Sequence, residues 1–212
     1  MRSFFFFSVD DEQLDYARRL VAHAAEHHRV PNIWDGTPHQ ARTVDLRLTG
    51  SLGEVLFADA YRLPRPTRAF GADDGQDLGR DFELWVNGKP KCFDVKTMRR
   101  KTNLFRSGYV LNIPASQLNR PDSLTDSYFH INLHQTNEGG FIGTFVGFAD
   151  KDNIRNGAIG QHFQAGATRI RNDKTQFQFF TDTYEIDLID LHNPPLTDFI
   201  RSLKGFGIGR FR

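Results

Sequence analysis

Four charged side chains crowd around one tight turn: Asp81 and Glu83 precede Asn87-Gly88, and Asp94 and Lys96 follow it. Asn-Gly is the preferred pair for a two-residue type I′ turn, so the alternating stretches 82–86 and 91–97 pair as a hairpin. Counting outward, Trp85 opposes Pro90, Glu83 opposes Cys92, Phe82 opposes Phe93, and Asp81 opposes Asp94. Trp85/Pro90 is then a non-hydrogen-bonded pair, which spares proline the donor it lacks. Asp81/Asp94 is of the same type, whose Cα atoms approach to about 4.5 Å. Alternation sends Phe82, Leu84, Val86, Phe93 and Val95 to one face, and Asp81, Glu83, Asp94 and Lys96 to the other. Opposed like charges destabilise a sheet, and a hard cation with oxygen ligands relieves that repulsion. Lys96 adds a positive charge suited to orienting a nucleophilic water or stabilising charge that develops on a phosphoryl group. The plainer alternative is a solvated polar face with a weak Asp94/Lys96 surface pair. A four-residue turn, 87–90, would instead bring Glu83 opposite Asp94.

Asp81, followed by Asp94-Val95-Lys96 inside the apolar strand Phe-Asp-Val-Lys-Thr, resembles the D-x(n)-(D/E)-x-K signature of the PD-(D/E)XK phosphodiesterase superfamily. Restriction enzymes, Holliday-junction resolvases and recombination nucleases belong to it. The likeness covers 49–133, where a helix carrying Glu54 precedes the hairpin and a strand and helix follow; Arg80 stands where a proline usually precedes the first aspartate. It implies an α/β, restriction endonuclease-like core, a central mixed sheet flanked by helices, with added C-terminal strands and a short helix. It also implies a metal-dependent nuclease, a DNA endonuclease that hydrolyses phosphodiester bonds with a magnesium-activated water, manganese being able to substitute. By this resemblance Asp81, Asp94 and Glu54 bind magnesium and Lys96 assists the attacking water.

Other assignments stand beside these. Asp77, in Gly75-Gln76-Asp77, competes with Asp81, and Glu83 replaces it under the longer turn. Ser51-x-x-Glu54 also reads as a capping box whose glutamate bonds the first amide of its own helix. Gln117 sits where some nucleases of this group place a polar residue, at the start of the helix after the D-x-K strand. Arg99, Arg100 and Lys101, with Arg106 nearby, are either phosphate contacts of a nucleic-acid partner or a solvated basic turn. A catalytically weak nucleic-acid-binding or assembly module on the same fold is the alternative function. His23-Ala24-Ala25-Glu26-His27 matches the inverted zinc-protease pattern, with both histidines on one helix face, but nothing further along the chain extends that likeness. Gly205-Phe206-Gly207-Ile208-Gly209 has the spacing of a dinucleotide loop without a helix to follow, and reads as a flexible or basic tail.

The elements that must position these residues follow from periodicity. Asp10, with Gln13 completing a capping box, opens a first helix to about His28; 31–47 is turn-rich; Thr49-Gly50-Ser51 opens a second helix ended by Pro64 and Pro66. Strands are expected at 109–113, 128–133, 141–148, 176–180 and 184–190, with helices from 114–118 and 196–203. The chain has 212 residues, 39% hydrophobic, enough for one sizeable core, and the expected organisation is a single nuclease-like domain: 1–48 N-terminal and helical, 49–133 the motif-bearing core, 134–212 C-terminal strands and helix. No apolar run approaches the roughly 20 residues of a bilayer span, and Phe4–Phe7 is shorter than the about 7–15 residues of a secretory core, so it belongs to the fold. A single cysteine, Cys92, suits a reducing compartment, and the cytoplasm is the expected location. The net charge of +1 advertises no nucleic-acid binding on its own, and a homodimer suits an enzyme that cuts both strands.

Overall fold

The structure is a computed structural model that describes residues 2–27, 40–67, 81–100, 105–106, 108–170 and 176–211; the side chains of 24–27 and 40–44 lie outside that description. Strand β1 (Ser3–Ser8) leads into helix α1 (Asp11–His27). The expected capping box is present and reciprocal: the Gln13 amide donates to Asp10 Oδ1 at 2.8 Å, and the Asp10 amide donates to Gln13 Oε1 at 3.1 Å. Helix α2 (Gln40–Tyr61) begins well before the start expected at Thr49-Gly50-Ser51, and it crosses the division at 48/49. Thr49 Oγ1 donates to the Asp45 carbonyl at 2.8 Å, so the hydroxyl expected to open the helix is spent inside it. Arg62, with φ of 56°, takes the left-handed conformation that ends α2.

Then follow β2 (Phe82–Val86), β3 (Lys89–Arg100), β4 (Val110–Pro114), α3 (Ala115–Leu118), β5 (Ser127–Gln135), β6 (Phe141–Asp150) and α4 (Lys151–Arg155). The chain continues through β7 (Gln161–Phe163), β8 (Thr168–Ile170), β9 (Gln176–Gln178), β10 (Thr183–Asp187), α5 (Asp198–Arg201) and β11 (Gly207–Arg210). The strand expected over 184–190 stops at Asp187 and finishes as a 3-10 turn, Leu188–Asp190. A mixed six-stranded sheet has the order β11-β1-β6-β5-β3-β2, in which β3 and β5 run parallel and the other pairs antiparallel. The connection between β3 and β5 passes through β4 and α3; β4 lies in a second sheet, β4-β10-β7. A β8-β9 pair stands apart from both.

The glycine-rich end is not a loose tail. Gly209 pairs with Phe4 and Gly207 with Phe6, and a Cβ on either glycine would fall within 2.1 and 2.4 Å of those rings. The missing side chains leave room for phenyl rings to lie across the strand, so β11 forms because β1 is phenylalanine-rich.

The large sheet divides two apolar clusters. On one face Phe93, Val95, Phe129, Ile131, Leu133 and Phe145 pack with α1 and α2, where Phe57 sits 4.9 Å from Phe129 and 5.0 Å from Phe82. On the other, Tyr128 and Val146 pack with Leu111, Ile113, Leu118, Ile154 and Ile186. Among the described residues no helix is long and apolar enough to cross a membrane.

Candidate active site

The hairpin has the expected register: Val86 pairs with Lys89, Trp85 with Pro90, Leu84 with Lys91, Glu83 with Cys92, and Phe82 with Phe93. Asn87 and Gly88 have φ of 52° and 76°, the doubly positive pair of a type I′ turn. Ladder pairing ends at Phe82, and Asp81 closes it in another way. Its amide donates to the Phe93 carbonyl at 3.0 Å, and its carboxylate Oδ2 accepts the Val95 amide at 2.7 Å. The carboxylate stands in for the carbonyl that a longer β2 would have offered. From there on β3 has β5 on one side and, on the other, no strand of this sheet among the described residues.

At that open edge lies a cleft of about 220 Å³ lined by Glu54, Asp81, Asp94, Val95, Lys96, Gln117, Arg120, Ser123 and Thr125. Three segments far apart in sequence meet here for separable reasons. Gly53 lets α2 approach β3 so closely that a Cβ there would sit 1.7 Å from Thr97 Oγ1, and this contact carries its neighbour Glu54 to the cleft. Because α2 is already helical at Gln40, Glu54 belongs to the helix interior, and the capping-box assignment lapses. The hairpin supplies Asp81, Asp94 and Lys96. Gln117 comes from α3, and its Oε1 is buried without a hydrogen-bond partner among the described residues.

Asp94 is only 8% exposed, and Lys96 Nζ lies 2.6 Å from its Oδ1. That polar face is therefore roofed rather than bathed in solvent, and the pair is stronger than a surface ion pair. Tyr128, the β5 residue in register with Asp94, lies under the Lys96 ammonium, which is 5.8 Å from its ring centre. Burial, reinforced by the Asp94 charge, pushes the Tyr128 hydroxyl well above its usual pKa. Beside Lys96 in register is His130, wholly buried, with Nε2 3.1 Å from Asn132 Oδ1. Burial first, and the Arg100 charge second, lower its pKa to about 3, so this imidazole is neutral.

The remaining expected residues lie elsewhere. Glu83 is exposed and lines no part of the cleft. Arg99 bridges to Asp45 of α2 and donates to Gln135 Oε1 at 2.9 Å. Arg100 donates to Asn132 Oδ1 at 2.6 Å and stacks 4.0 Å from the Tyr109 ring centre. Arg106 is exposed. Asp77 and Lys101 fall outside the described residues, as do the side chains of Glu26 and His27. His23 lies on α1, away from the cleft lining. Arg120, Ser123 and Thr125 line the cleft without having been singled out in the sequence. They belong to a turn whose position depends on where parallel strand β5 starts beside β3, a relation that leaves no local signal.

Three carboxylates, one from α2 and two from the hairpin, together with a buried amide oxygen that has no partner among the described residues form an all-oxygen donor set, which fits a hard divalent cation such as magnesium. Among the described residues no three Asp, Glu, His or Cys side chains are already gathered closely enough to hold one. Asp94 is engaged by Lys96, and Asp81 by the Val95 amide. Comparison of the chain with protein-family models, curated proteins and solved structures finds no match.

Proposed function

We propose that the chain is a metal-dependent nuclease of the PD-(D/E)XK type that hydrolyses phosphodiester bonds of DNA, on a restriction endonuclease-like core formed by α2, the β2–β3 hairpin and β5. The observation that carries the reading is the shared cleft. Glu54, Asp81, Asp94, Lys96 and Gln117, which the signature and its surroundings single out in three separate segments, line one 220 Å³ space. A solvated hairpin face would not need a glycine-tight helix to deliver a glutamate to it.

Glu54, Asp81 and Asp94 would hold magnesium, which when bound polarises a phosphoryl oxygen and lowers the pKa of a water. Lys96 supplies the fixed positive charge beside the reacting phosphate, held in place by Asp94 and by the Tyr128 ring beneath it. Arg120 brings a second cation to the rim, and the Gln117 amide offers a polar contact aimed at the same space. Neutral His130 keeps a competing positive charge away from Lys96.

The test is incubation of purified protein with plasmid, linear and single-stranded DNA in magnesium or manganese. The reading predicts cleavage that Asp94→Ala abolishes. Absence of cleavage in either metal, with salt-sensitive DNA binding retained, would assign a binding module instead.

A further inference from the structure

We propose that Lys151 and Arg155 of α4, with the Tyr128 hydroxyl, form a second anion site beside the cleft, and that it holds a phosphate group of the substrate strand. That the phosphate belongs to a nucleic acid rests on the nuclease reading; the anion site itself does not.

Tyr128 is 1% exposed and shares an apolar cluster with Leu118 of α3 and Ile154 of α4, so the two short helices flank it. Its hydroxyl is buried and has no hydrogen-bond partner among the described residues, a state that a ligand oxygen would relieve. Lys151 is anchored where β6 ends, its amide donating to the Asp126 carbonyl at 2.9 Å, and it is only 7% exposed. Buried lysines are normally paired. Among the described residues neither Lys151 nor Arg155 has a carboxylate within 4.0 Å, the distance of an ion pair. Burial and then the Arg155 charge depress the Lys151 pKa, against the individually weaker Asp152, Asp126 and Asp94 charges, which raise it; the Arg155 charge, after that of Asp94, also reaches the Tyr128 hydroxyl. A buried lysine and a neighbouring arginine on a short helix that packs through Ile154 against the cluster holding an orphaned hydroxyl are an arrangement that an oxyanion stabilises. Tyr128 is in register with Asp94, which places this site next to the candidate catalytic face, where the next phosphate along a bound strand, or its terminal one, would lie.

The experiment titrates inorganic phosphate into the full chain without divalent metal, following thermal unfolding and calorimetric binding. Phosphate should raise the unfolding midpoint of the wild type. Arg155→Gln and Lys151→Met should each weaken binding about tenfold, and Tyr128→Phe by a smaller factor. Arg155 is exposed, so its substitution keeps the test meaningful even if Lys151→Met fails to fold. Discrimination of about tenfold between oligonucleotides carrying a 5′-phosphate and a 5′-hydroxyl assigns the site to a terminal phosphate; equal binding assigns it to an internal one. No response at about 10 mM phosphate, or Arg155→Gln binding like the wild type, would overturn the proposal. Phosphate binding without DNA cleavage would retain the site and remove the nuclease reading. Cleavage with phosphate binding indifferent to both cations would do the reverse.

Discussion

Asp81 Oδ2 accepts the Val95 amide at 2.7 Å, so the aspartate expected to bind metal also closes the hairpin. The two roles separate by substitution. Asp81→Asn keeps an acceptor for Val95 and loses the charge; Asp81→Ala loses both. The first should cost about 0.5 kcal/mol of stability and the second about 1–3 kcal/mol, because a half-buried amide is left unsatisfied. Both should lower cleavage about a hundredfold or more, as loss of a charged group at the reacting phosphate does. Urea denaturation and cleavage rates on the same preparations check this. Equal stability of the two variants would show that the bond to Val95 contributes nothing.

The Lys96–Asp94 pair, at 2.6 Å and largely enclosed, makes each partner costly to remove alone. Lys96→Met should destabilise by about 1–3 kcal/mol, since the buried Asp94 carboxylate loses the ammonium 2.6 Å away, and should slow single-turnover cleavage by about 10²–10⁴. Magnesium should raise the unfolding midpoint of the wild type by mass action and should leave that of Asp94→Asn unmoved. A metal-independent midpoint in the wild type would mean that the three carboxylates do not gather around an ion.

Two glycines of α2 make opposite predictions. A Cβ on Gly53 would meet Thr97 Oγ1 at 1.7 Å and Thr97 Cβ at 2.7 Å, so rotating the threonine hydroxyl away does not remove the clash. Gly50 has nothing among the described residues within 4 Å of its added Cβ. Alanine is favoured over glycine in a helix by about 1 kcal/mol, so Gly50→Ala should stabilise by about 0.5–1 kcal/mol. In Gly53→Ala overpacking outweighs that gain, with a net loss of about 1–3 kcal/mol. The displaced helix takes Glu54 with it, so cleavage should fall in Gly53→Ala and hold in Gly50→Ala. Denaturation midpoints and turnover measured side by side distinguish the two.

What was legible in the sequence was what local chemistry forces. Asn87-Gly88 imposes its own turn, the turn imposes the register, and the register places Asp94 and Lys96 on one face. The Asp10/Gln13 cap was equally local. Glu54 was ambiguous because Ser51-x-x-Glu54 mimics a helix start, and only the true start at Gln40 removes that assignment. Strands β1 and β11 were missed because neither alternates like a half-buried strand; they define each other through rings laid over glycines. Three-residue strands such as β7 and β8 are too short to show a period. Arg120, Ser123 and Thr125 enter the cleft through a turn set by the parallel pairing of β3 and β5, which has no signature in any one segment.

His130 gives the pH prediction. Its pKa is about 3 in the fold, against 6.5 when unfolded, because burial and the Arg100 charge oppose protonation. Between those values the unfolded chain binds a proton that the folded chain refuses. Stability therefore rises with pH in this window, is complete above about pH 6.5, and is lost as pH falls toward 3, with a slope of up to about 1.4 kcal/mol per unit. Carboxylates contribute their own acid dependence, so the informative quantity is the difference between the wild type and His130→Gln. Whatever its value at neutral pH, that difference should shrink by about 2 kcal/mol between pH 6.5 and pH 4.5, because only the wild type loses the neutral imidazole's contribution. Urea denaturation of both proteins across that range measures it. A difference that stays constant would mean that His130 accepts its proton inside the fold, and a charged imidazole beside Lys96 would then repel the very group proposed to assist the reaction.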